Sequence, residues 1–227
     1  MELARPHVAL GQSERPVFQV SGKNASLQIS NLPENYQRLT WFYNTTQKIL
    51  QWESNEPNPR FFRTKFKDRV MLCRENGALH ISDVRKEDSS NYILKVLKSG
   101  IERGWKVPLQ VFDPVPRPVI KIEKAQEVNN SCYLNLSCVV QDESVKYTWY
   151  GDSGPILEKL QSRVLEITVK PQTYSRFYMC QVSNPVSNSS DTVYFTSACK
   201  LAGSSGVAWT TEWLVVMILI ILSLLLT

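Results

Sequence analysis

The sequence predicts an all-β protein built from two tandem sandwiches, and three observations support that prediction. Short runs that alternate apolar and polar residues recur along the chain, with no sustained helical periodicity before the apolar C-terminus. The proline-rich stretch "DPVPRP" at 113–118 separates two segments of about 100 residues each, the size of one sandwich domain. The second segment also carries cysteine, tryptophan and tyrosine residues at the spacing that closes such a sandwich.

The second segment shows this pattern most clearly. Cys138 ends the alternating run "YLNLSC", Trp149 follows eleven residues later, and "YMC" closes the set at Cys180. In immunoglobulin-like sandwiches two such cysteines bridge the sheets, the tryptophan packs on the bridge, and the tyrosine forms the tyrosine corner. We therefore predict a constant-like domain with a Cys138–Cys180 disulfide. Cys132 and Cys199 would form a second bridge, and the two other pairings of these four cysteines fit a sandwich less well.

The first segment repeats the skeleton without its cysteines. Ile29 stands where the first cysteine would be, Trp41 follows in "LTWFY", and Leu94 takes the place of the second cysteine. We predict that these three side chains contact each other in place of a bridge. Burial of two aliphatic side chains contributes roughly 1.5–3 kcal/mol each, comparable with the roughly 2–5 kcal/mol of a disulfide.

Two further features of the first segment are typical of variable-type domains. The gap between Trp41 and Tyr92 leaves room for two additional strands. Arg69 and Asp88 stand where variable-type domains form an ion pair below the tyrosine corner, so we predict that they pair. Cys73 has no partner in this scheme and is predicted to be a free thiol, with an intermolecular bridge as the alternative.

Several function classes lack support in the sequence. The net charge of +5 is spread along the chain, with no basic stripe, which argues against a nucleic-acid partner. No Cys-x-x-Cys pair occurs and the two histidines lie far from the cysteines, so no zinc site is expected. Motifs for nucleophilic, metalloprotease, nucleotide or dinucleotide chemistry are absent, so we expect no enzyme, no cofactor and no small-molecule substrate.

The cysteines and the glycosylation sequons indicate the secretory pathway. Four cysteines in one half of a short chain favour disulfides and an oxidising compartment. Five Asn-x-Ser/Thr sequons point the same way. The predicted N-glycosylation sites are Asn24, Asn44, Asn129, Asn135 and Asn188.

The C-terminus predicts a lipid anchor. The apolar run Trp213–Leu226 is shorter than the roughly 20 residues of a spanning helix, and no basic residue follows it. Small residues and a short spacer precede it, which is the pattern of a GPI signal; we predict attachment at Ser204, with Ser205 or Gly203 as alternatives. A short membrane-spanning tail is the competing interpretation.

The N-terminus contains no apolar run that would serve as a secretory signal. Either the chain is an incomplete or alternative version of a longer precursor, which we favour, or the anchor interpretation fails. The predicted organisation is an uncertain segment at 1–16, a variable-type domain at 17–113, a constant-like domain at 114–200 and a GPI signal with an apolar tail at 201–227.

The chain resembles the SLAM family of leukocyte receptors and their CD2-like relatives, in a GPI-anchored form. The resemblance is clearest in "LPENYQRLTWFY", "KEDSSNYILKVL", "DPVPRPVIKIEK" and "ESVKYTWYGD" and covers the chain from about Gly22 onward. It implies an adhesion ligand on the outer face of the plasma membrane that modulates T-cell and natural-killer-cell activation. The implied partners are related receptors on opposing leukocytes, including the natural-killer-cell member, bound through strands G, F, C and C′ of the first domain.

Strand alternation suggests which side chains form that face. With Trp41 and Leu94 turned inward, their sequence neighbours point outward, and charged residues in the adjoining loops would border them. The predicted face comprises Thr40, Phe42, Glu53, Ile93, Lys95, Lys98, Glu102 and Arg103. Three alternatives remain: Phe42 is covered by neighbouring side chains, the protein is another two-domain immunoglobulin-type receptor with a spanning tail, or it is a soluble form.

Overall fold

The computed structural model describes residues 9–141 and 144–202. Most of the first of its two compact units precedes Pro118, and all of the second follows it. The predicted attachment residue Ser204 and the apolar tail lie outside the described residues, as do residues 1–8. No helix within the described ranges is long and apolar enough to cross a membrane.

Within the described residues, the first sandwich contains ten strands in two sheets. The seven-stranded sheet has the order β1-β10-β9-β4-β5-β6, with β2 also paired to β10, and the smaller sheet has the order β3-β8-β7. The strands are β1 Ala9–Ser13, β2 Val17–Val20, β3 Ala25–Leu27, β4 Arg38–Tyr43, β5 Gln47–Glu53, β6 Arg60–Phe61, β7 Val70–Leu72, β8 Leu79–Ile81, β9 Ser90–Lys98 and β10 Ile101–Phe112.

The core of the first sandwich contains the three side chains predicted to replace a bridge. Ile29 is 6% exposed, Trp41 and Leu94 are fully buried, and all three belong to one apolar cluster. Trp41 and Leu94 lie directly opposite each other on β4 and β9. The indole N–H of Trp41 donates to the carbonyl oxygen of Gly77 at 2.9 Å. Gly77 has a φ of +69°, and a Cβ at this position would approach Leu39 Cδ1 to 2.9 Å, so that the leucine would have to shift.

The predicted pair between Arg69 and Asp88 is present. Both guanidinium Nη atoms donate to the Asp88 carboxylate, at 2.9 and 3.2 Å, and the backbone N–H of Arg85 donates to it at 3.0 Å. The Asp88 side chain is fully buried, and Lys65 Nζ lies 3.5 Å from it. Burial would raise the pKa of Asp88, but these hydrogen bonds and positive charges outweigh burial and hold the pKa below its ordinary value.

A tight hairpin fixes the register of β9 against β10. Ser99 and Gly100, with φ values of +49° and +79°, join the two strands as a two-residue turn in which both φ angles are positive. Lys98 therefore pairs with Ile101, and the pairing continues without a shift to Ser90 and Leu109. Because opposed residues share a side of the sheet, this turn determines which β10 side chains accompany those of β9.

In the part of the chain that the structure describes, the second sandwich contains eight strands, also in two sheets. One has the order β11-β12-β15 and the other β14-β13-β16-β17-β18. The strands are β11 Val119–Val128, β12 Ser131–Val139, β13 Lys146–Gly151, β14 Gly154–Pro155, β15 Val164–Val169, β16 Phe177–Ser183, β17 Asn188–Ser197 and β18 Lys200–Leu201. The described part of the chain also contains 3₁₀ turns at Lys86–Asp88 and Glu158–Leu160.

Both disulfides of the second sandwich form as predicted. Cys138 on β12 is bonded to Cys180 on β16, and both residues are fully buried, as is Trp149. Cys132 at the start of β12 is bonded to Cys199 in the turn between β17 and β18. Cys73 in the first sandwich is a free, half-buried cysteine.

Candidate functional site

The candidate site is the side of the seven-stranded sheet that faces away from the apolar core, here called the front face. It is formed by β10, β9, β4 and β5, which correspond to strands G, F, C and C′. Lys95 pairs with Thr40 on one side and Gly104 on the other, and Ile93 pairs with Phe42 and Lys106. Since opposed residues share a side, these side chains form adjoining rows.

Three predicted front-face residues point away from the core but are covered rather than open to solvent. Thr40, Phe42 and Ile93 are only 4%, 9% and 6% exposed, and none belongs to the core cluster. Lys95 Nζ lies 5.1 Å from the centre of the Phe42 ring, so the lysine stem and its charge lie over the aromatic face. The alternative in which neighbouring side chains cover Phe42 is therefore the one observed.

The upper layer of the front face is an ion-pair network centred on Glu102. Arg38 Nη2 lies 3.7 Å from one carboxylate oxygen, and Lys95 Nζ lies 3.5 Å from the other. These side chains come from three adjacent strands, because Arg38 pairs with Leu97 and Leu97 pairs with Glu102. Two cations thus share one carboxylate, and the network retains a positive charge.

The register corrects part of the predicted face. Glu53 lies opposite Arg38 and belongs to the front face, where its carboxylate accepts a hydrogen bond from Gln51 Nε2 at 3.0 Å. Arg103 pairs with Val96, a core residue, and Lys98 lies two residues further along the same row. Both basic residues therefore lie on the opposite side of the sheet from Lys95, because side chains alternate along a strand. Lys98 and Arg103 are therefore not part of the front face.

Other front-face residues were missed by the sequence interpretation. Arg38, Lys48 and Gln51 join from β4 and β5, and Lys106 joins from β10. Continuing the alternation of Thr40 and Phe42 back by two residues would have found Arg38. Lys48 could not be placed in this way, because the pairing of β4 with β5 shifts between Trp41 and Phe42.

The arrangement is suited to binding rather than to chemical conversion. The front face carries four cations, Arg38, Lys48, Lys95 and Lys106, and two carboxylates, Glu53 and Glu102. No nucleophile–base pair is formed among these side chains. Within residues 9–141 and 144–202, no group of His, Cys, Asp and Glu side chains could hold a metal ion.

None of the predicted glycosylation sites lies on β10, β9, β4 or β5, but Asn44 follows Phe42 by only two residues. Asn24 is exposed before β3, and Asn44 is exposed in the turn between β4 and β5. Asn129 and Asn188 are exposed in the second sandwich, whereas Asn135 is half-buried on β12, with its Nδ2 donating to Glu166 at 3.1 Å. Whether these sites carry glycans stays a prediction.

Comparison with known proteins agrees with this architecture. Residues 12–111 match the immunoglobulin V-set domain. The chain is 55% identical over 210 residues to human CD48 antigen, covering 92% of this chain and 86% of that protein. It is 28% identical to the rat natural killer cell receptor 2B4 and to mouse SLAM family member 5, covering 83% and 74% of this chain. The aligned part spans 61% and 50% of those two receptors.

Solved structures show the same fold at lower identity. Murine CEACAM1b aligns with a TM-score of 0.63 and 19% identity over 81% of this chain and 94% of that chain. The CD2-binding domain of CD58 aligns with a TM-score of 0.56 and 21% identity over 80% of this chain and 96% of that chain. Because the chain is 55% identical to human CD48 antigen over 92% of its length, it belongs to the SLAM-related family of immunoglobulin receptors that includes CD48, and it is an immune cell-surface receptor or ligand rather than an enzyme.

Proposed function

We propose that this chain is a GPI-anchored adhesion ligand that binds SLAM- and CD2-related receptors on opposing leukocytes through its front face. The observation that carries the proposal is the layered construction of that face. Phe42 and Ile93 form a buried apolar floor, and Arg38, Lys95 and Glu102 form a charged layer above it. The buried Phe42 and Ile93 side chains support the charged side chains in fixed rows, to which a partner can present complementary groups.

The charge of the front face favours a partner rich in carboxylates. Glu102 is already shared by Arg38 and Lys95, so it offers little attraction to a basic partner. Lys48 and Lys106 add positive charge at the two ends of the neighbouring row, because Lys48 pairs with Phe42 and Lys106 pairs with Ile93. Such charges steer encounter and reject wrong partners more than they hold the complex together. Many copies on two apposed membranes supply the remaining strength through avidity.

Engagement of this face would modulate T-cell and natural-killer-cell activation through the partner. The predicted GPI signal leaves the mature chain without a cytoplasmic segment, so the receptor on the opposing cell, or neighbouring proteins in the same membrane, would carry the signal. Treatment of cells with phosphatidylinositol-specific phospholipase C tests the anchor directly. We expect surface protein to be released, and protein that stays on the cell would contradict lipid attachment.

The face itself is tested by charge reversal at Lys95. Replacing Lys95→Glu breaks the pair with Glu102 and places two like charges about 4 Å apart, so binding to a SLAM-family ectodomain should weaken by roughly tenfold or more. Lys121→Glu is the matched control, because Lys121 is exposed on β11 of the second sandwich. Hydrogen exchange verifies that both variants remain folded. If both variants lose the same amount of binding, or if neither loses any, the front face is not the receptor-binding surface.

A further inference from the structure

The two disulfides of the second sandwich differ in their access to solvent. Cys138 and Cys180 are both completely buried. Cys132 is 1% exposed, but its partner Cys199 is only half-buried, in the turn between β17 and β18. An open cavity of about 380 Å³ lies directly beside Cys132 and Cys199. Its other lining residues include Glu127, Ser131, Gln172 and Ser197.

We propose that Cys132–Cys199 is an exchangeable disulfide and that small extracellular thiols of the glutathione class react with it through this cavity. The thiolate attacks Cys199 Sγ and forms a mixed disulfide, while the bond to Cys132 breaks and Cys132 leaves as a thiolate that takes a proton from water. A second thiolate then attacks the sulfur of the bound thiol and releases Cys199. Two small thiols are oxidised to their disulfide, and one protein disulfide is reduced to two thiols.

Solvent exposure determines which disulfide reacts with the thiolate and which of its two sulfur atoms is attacked. Exchange requires the thiolate to reach a sulfur atom, and of the four bonded cysteines only Cys199 is more than marginally exposed. Lys200, the next residue, is exposed, so its positive charge favours the approach of an anionic thiol. Glu127 pairs with Cys132 and also lines the cavity, so its negative charge opposes that attraction and the site is mixed in charge.

Reduction would release one edge of the second sandwich without opening its centre. Strand β18 consists of Lys200 and Leu201, both exposed, and among the strands that the structure describes it pairs with the end of β17 alone. A backbone hydrogen bond from Ala202 N to the Tyr194 carbonyl oxygen, 2.8 Å long, extends this pairing by one residue. With Cys199 free, β18 loses its covalent connection to β12, whereas the buried Cys138–Cys180 bridge keeps the two sheets together.

Differential alkylation of the purified full chain tests this proposal. The protein is exposed to glutathione for increasing times, trapped with N-ethylmaleimide, and mapped by mass spectrometry. We expect Cys132 and Cys199 to be labelled about tenfold faster than Cys138 and Cys180. Labelling of the two pairs at the same rate, of Cys138 and Cys180 first, or of neither pair before unfolding would overturn the proposal. Labelling needs no receptor, so its result is independent of the front-face proposal.

The route of attack is tested by narrowing the cavity. Gln172 is exposed on a turn and lines the cavity, so Gln172→Trp should slow the labelling of Cys199 several-fold without changing the core. Thr173→Trp is the matched control, since Thr173 is exposed on the same turn but does not line the cavity. An unchanged rate in Gln172→Trp, or equal slowing in both variants, would exclude entry through this cavity.

Discussion

The two sandwiches have cores of similar construction, but at one pair of positions the second has a disulfide where the first has aliphatic side chains. Each buries a tryptophan whose indole N–H donates to a backbone carbonyl at 2.9 Å, from Trp41 to Gly77 and from Trp149 to Ser162. The second sandwich then bonds its two sheets through sulfur, whereas the first places Ile29 and Leu94 at the corresponding positions in its motif. The buried tryptophan is thus common to both sandwiches, whereas the disulfide can be replaced by apolar side chains.

The first sandwich has polar connections that supplement its apolar closure. Asp88 is held by Arg69 and by the Arg85 backbone, and Tyr92 donates its hydroxyl to the Asp88 carbonyl oxygen at 2.8 Å. Glu14 accepts hydrogen bonds from the backbone and hydroxyl of Ser30, at 3.1 and 2.8 Å, next to Ile29. The first sandwich, whose Cys73 is a free cysteine, therefore has hydrogen bonds between residues far apart in sequence in addition to its apolar core.

The largest expected effect is the loss of the buried Asp88 charge. Asp88→Asn leaves Arg69 and Lys65 without their carboxylate, and breaking a buried ion pair costs about 3–5 kcal/mol of unfolding free energy. Hydrogen exchange resolved along the chain should show faster exchange throughout the first sandwich. Unchanged exchange there would mean that the pair contributes little to closing the core.

The Asp88 carboxylate also makes the stability of the first sandwich depend on pH, in a direction that follows from its pKa. Because the pKa of Asp88 is lower in the folded protein than its ordinary value, its contribution to stability is complete above the unfolded-state pKa of about 3.9. That contribution is lost as pH falls through the lower folded-state pKa. The stability difference between the native protein and Asp88→Asn should therefore be constant near neutral pH and shrink in acid, and a difference that grows in acid would contradict this assignment.

The next largest effect concerns the buried disulfide of the second sandwich. The double variant Cys138→Ala, Cys180→Ala removes a bridge that joins residues 42 positions apart and should cost about 2–5 kcal/mol. Faster hydrogen exchange should appear in strands β12 and β16, with Cys132→Ala, Cys199→Ala as the comparison. The outer bridge joins residues 67 positions apart, so its total contribution to stability can be as large, and the location of the faster exchange is the deciding result. If Cys132→Ala, Cys199→Ala accelerated exchange in β12 and β16 as much as the central double variant does, the central bridge would not be the main connection between the two sheets.

The sequence predicted the buried core residues and the disulfides better than it predicted the side chains of the front face. Alternation and motif spacing placed Trp41, Leu94 and both disulfides correctly, because burial and cross-linking depend on local pattern. Arg103 was assigned to the wrong side of the sheet because its position depends on the register set by the two-residue turn at Ser99 and Gly100. The covering of Phe42 by Lys95 also requires knowledge of neighbouring strands, which one strand's pattern cannot supply.

A smaller effect separates the two tyrosine corners. The hydroxyl of Tyr92 donates at 2.8 Å to the Asp88 carbonyl oxygen, while that of Tyr178 accepts at 3.4 Å from the backbone N–H of Ser175. Removing a well-formed hydrogen bond costs about 0.5–1.5 kcal/mol, so Tyr92→Phe should destabilise its sandwich by that amount. Tyr178→Phe should cost less, because the bond that it removes is long. The reverse order, measured by denaturant unfolding, would contradict this comparison.

The smallest net effect is expected when the first sandwich receives the bridge of the second. In the double variant Ile29→Cys, Leu94→Cys, each cysteine buries about two fewer carbon groups, a loss of about 3 kcal/mol in total. A new disulfide between these positions would return about 2–5 kcal/mol, so the unfolding free energy of the oxidised variant should lie within about 2 kcal/mol of the native value. The reduced variant should be less stable than the oxidised one, which separates the two contributions in a single protein. Failure of the bridge to form under oxidising conditions would show that Ile29 and Leu94 do not face each other as the cysteines of the second sandwich do. A strongly destabilised oxidised variant would show instead that apolar packing, and not the cross-link, is the better closure for this core.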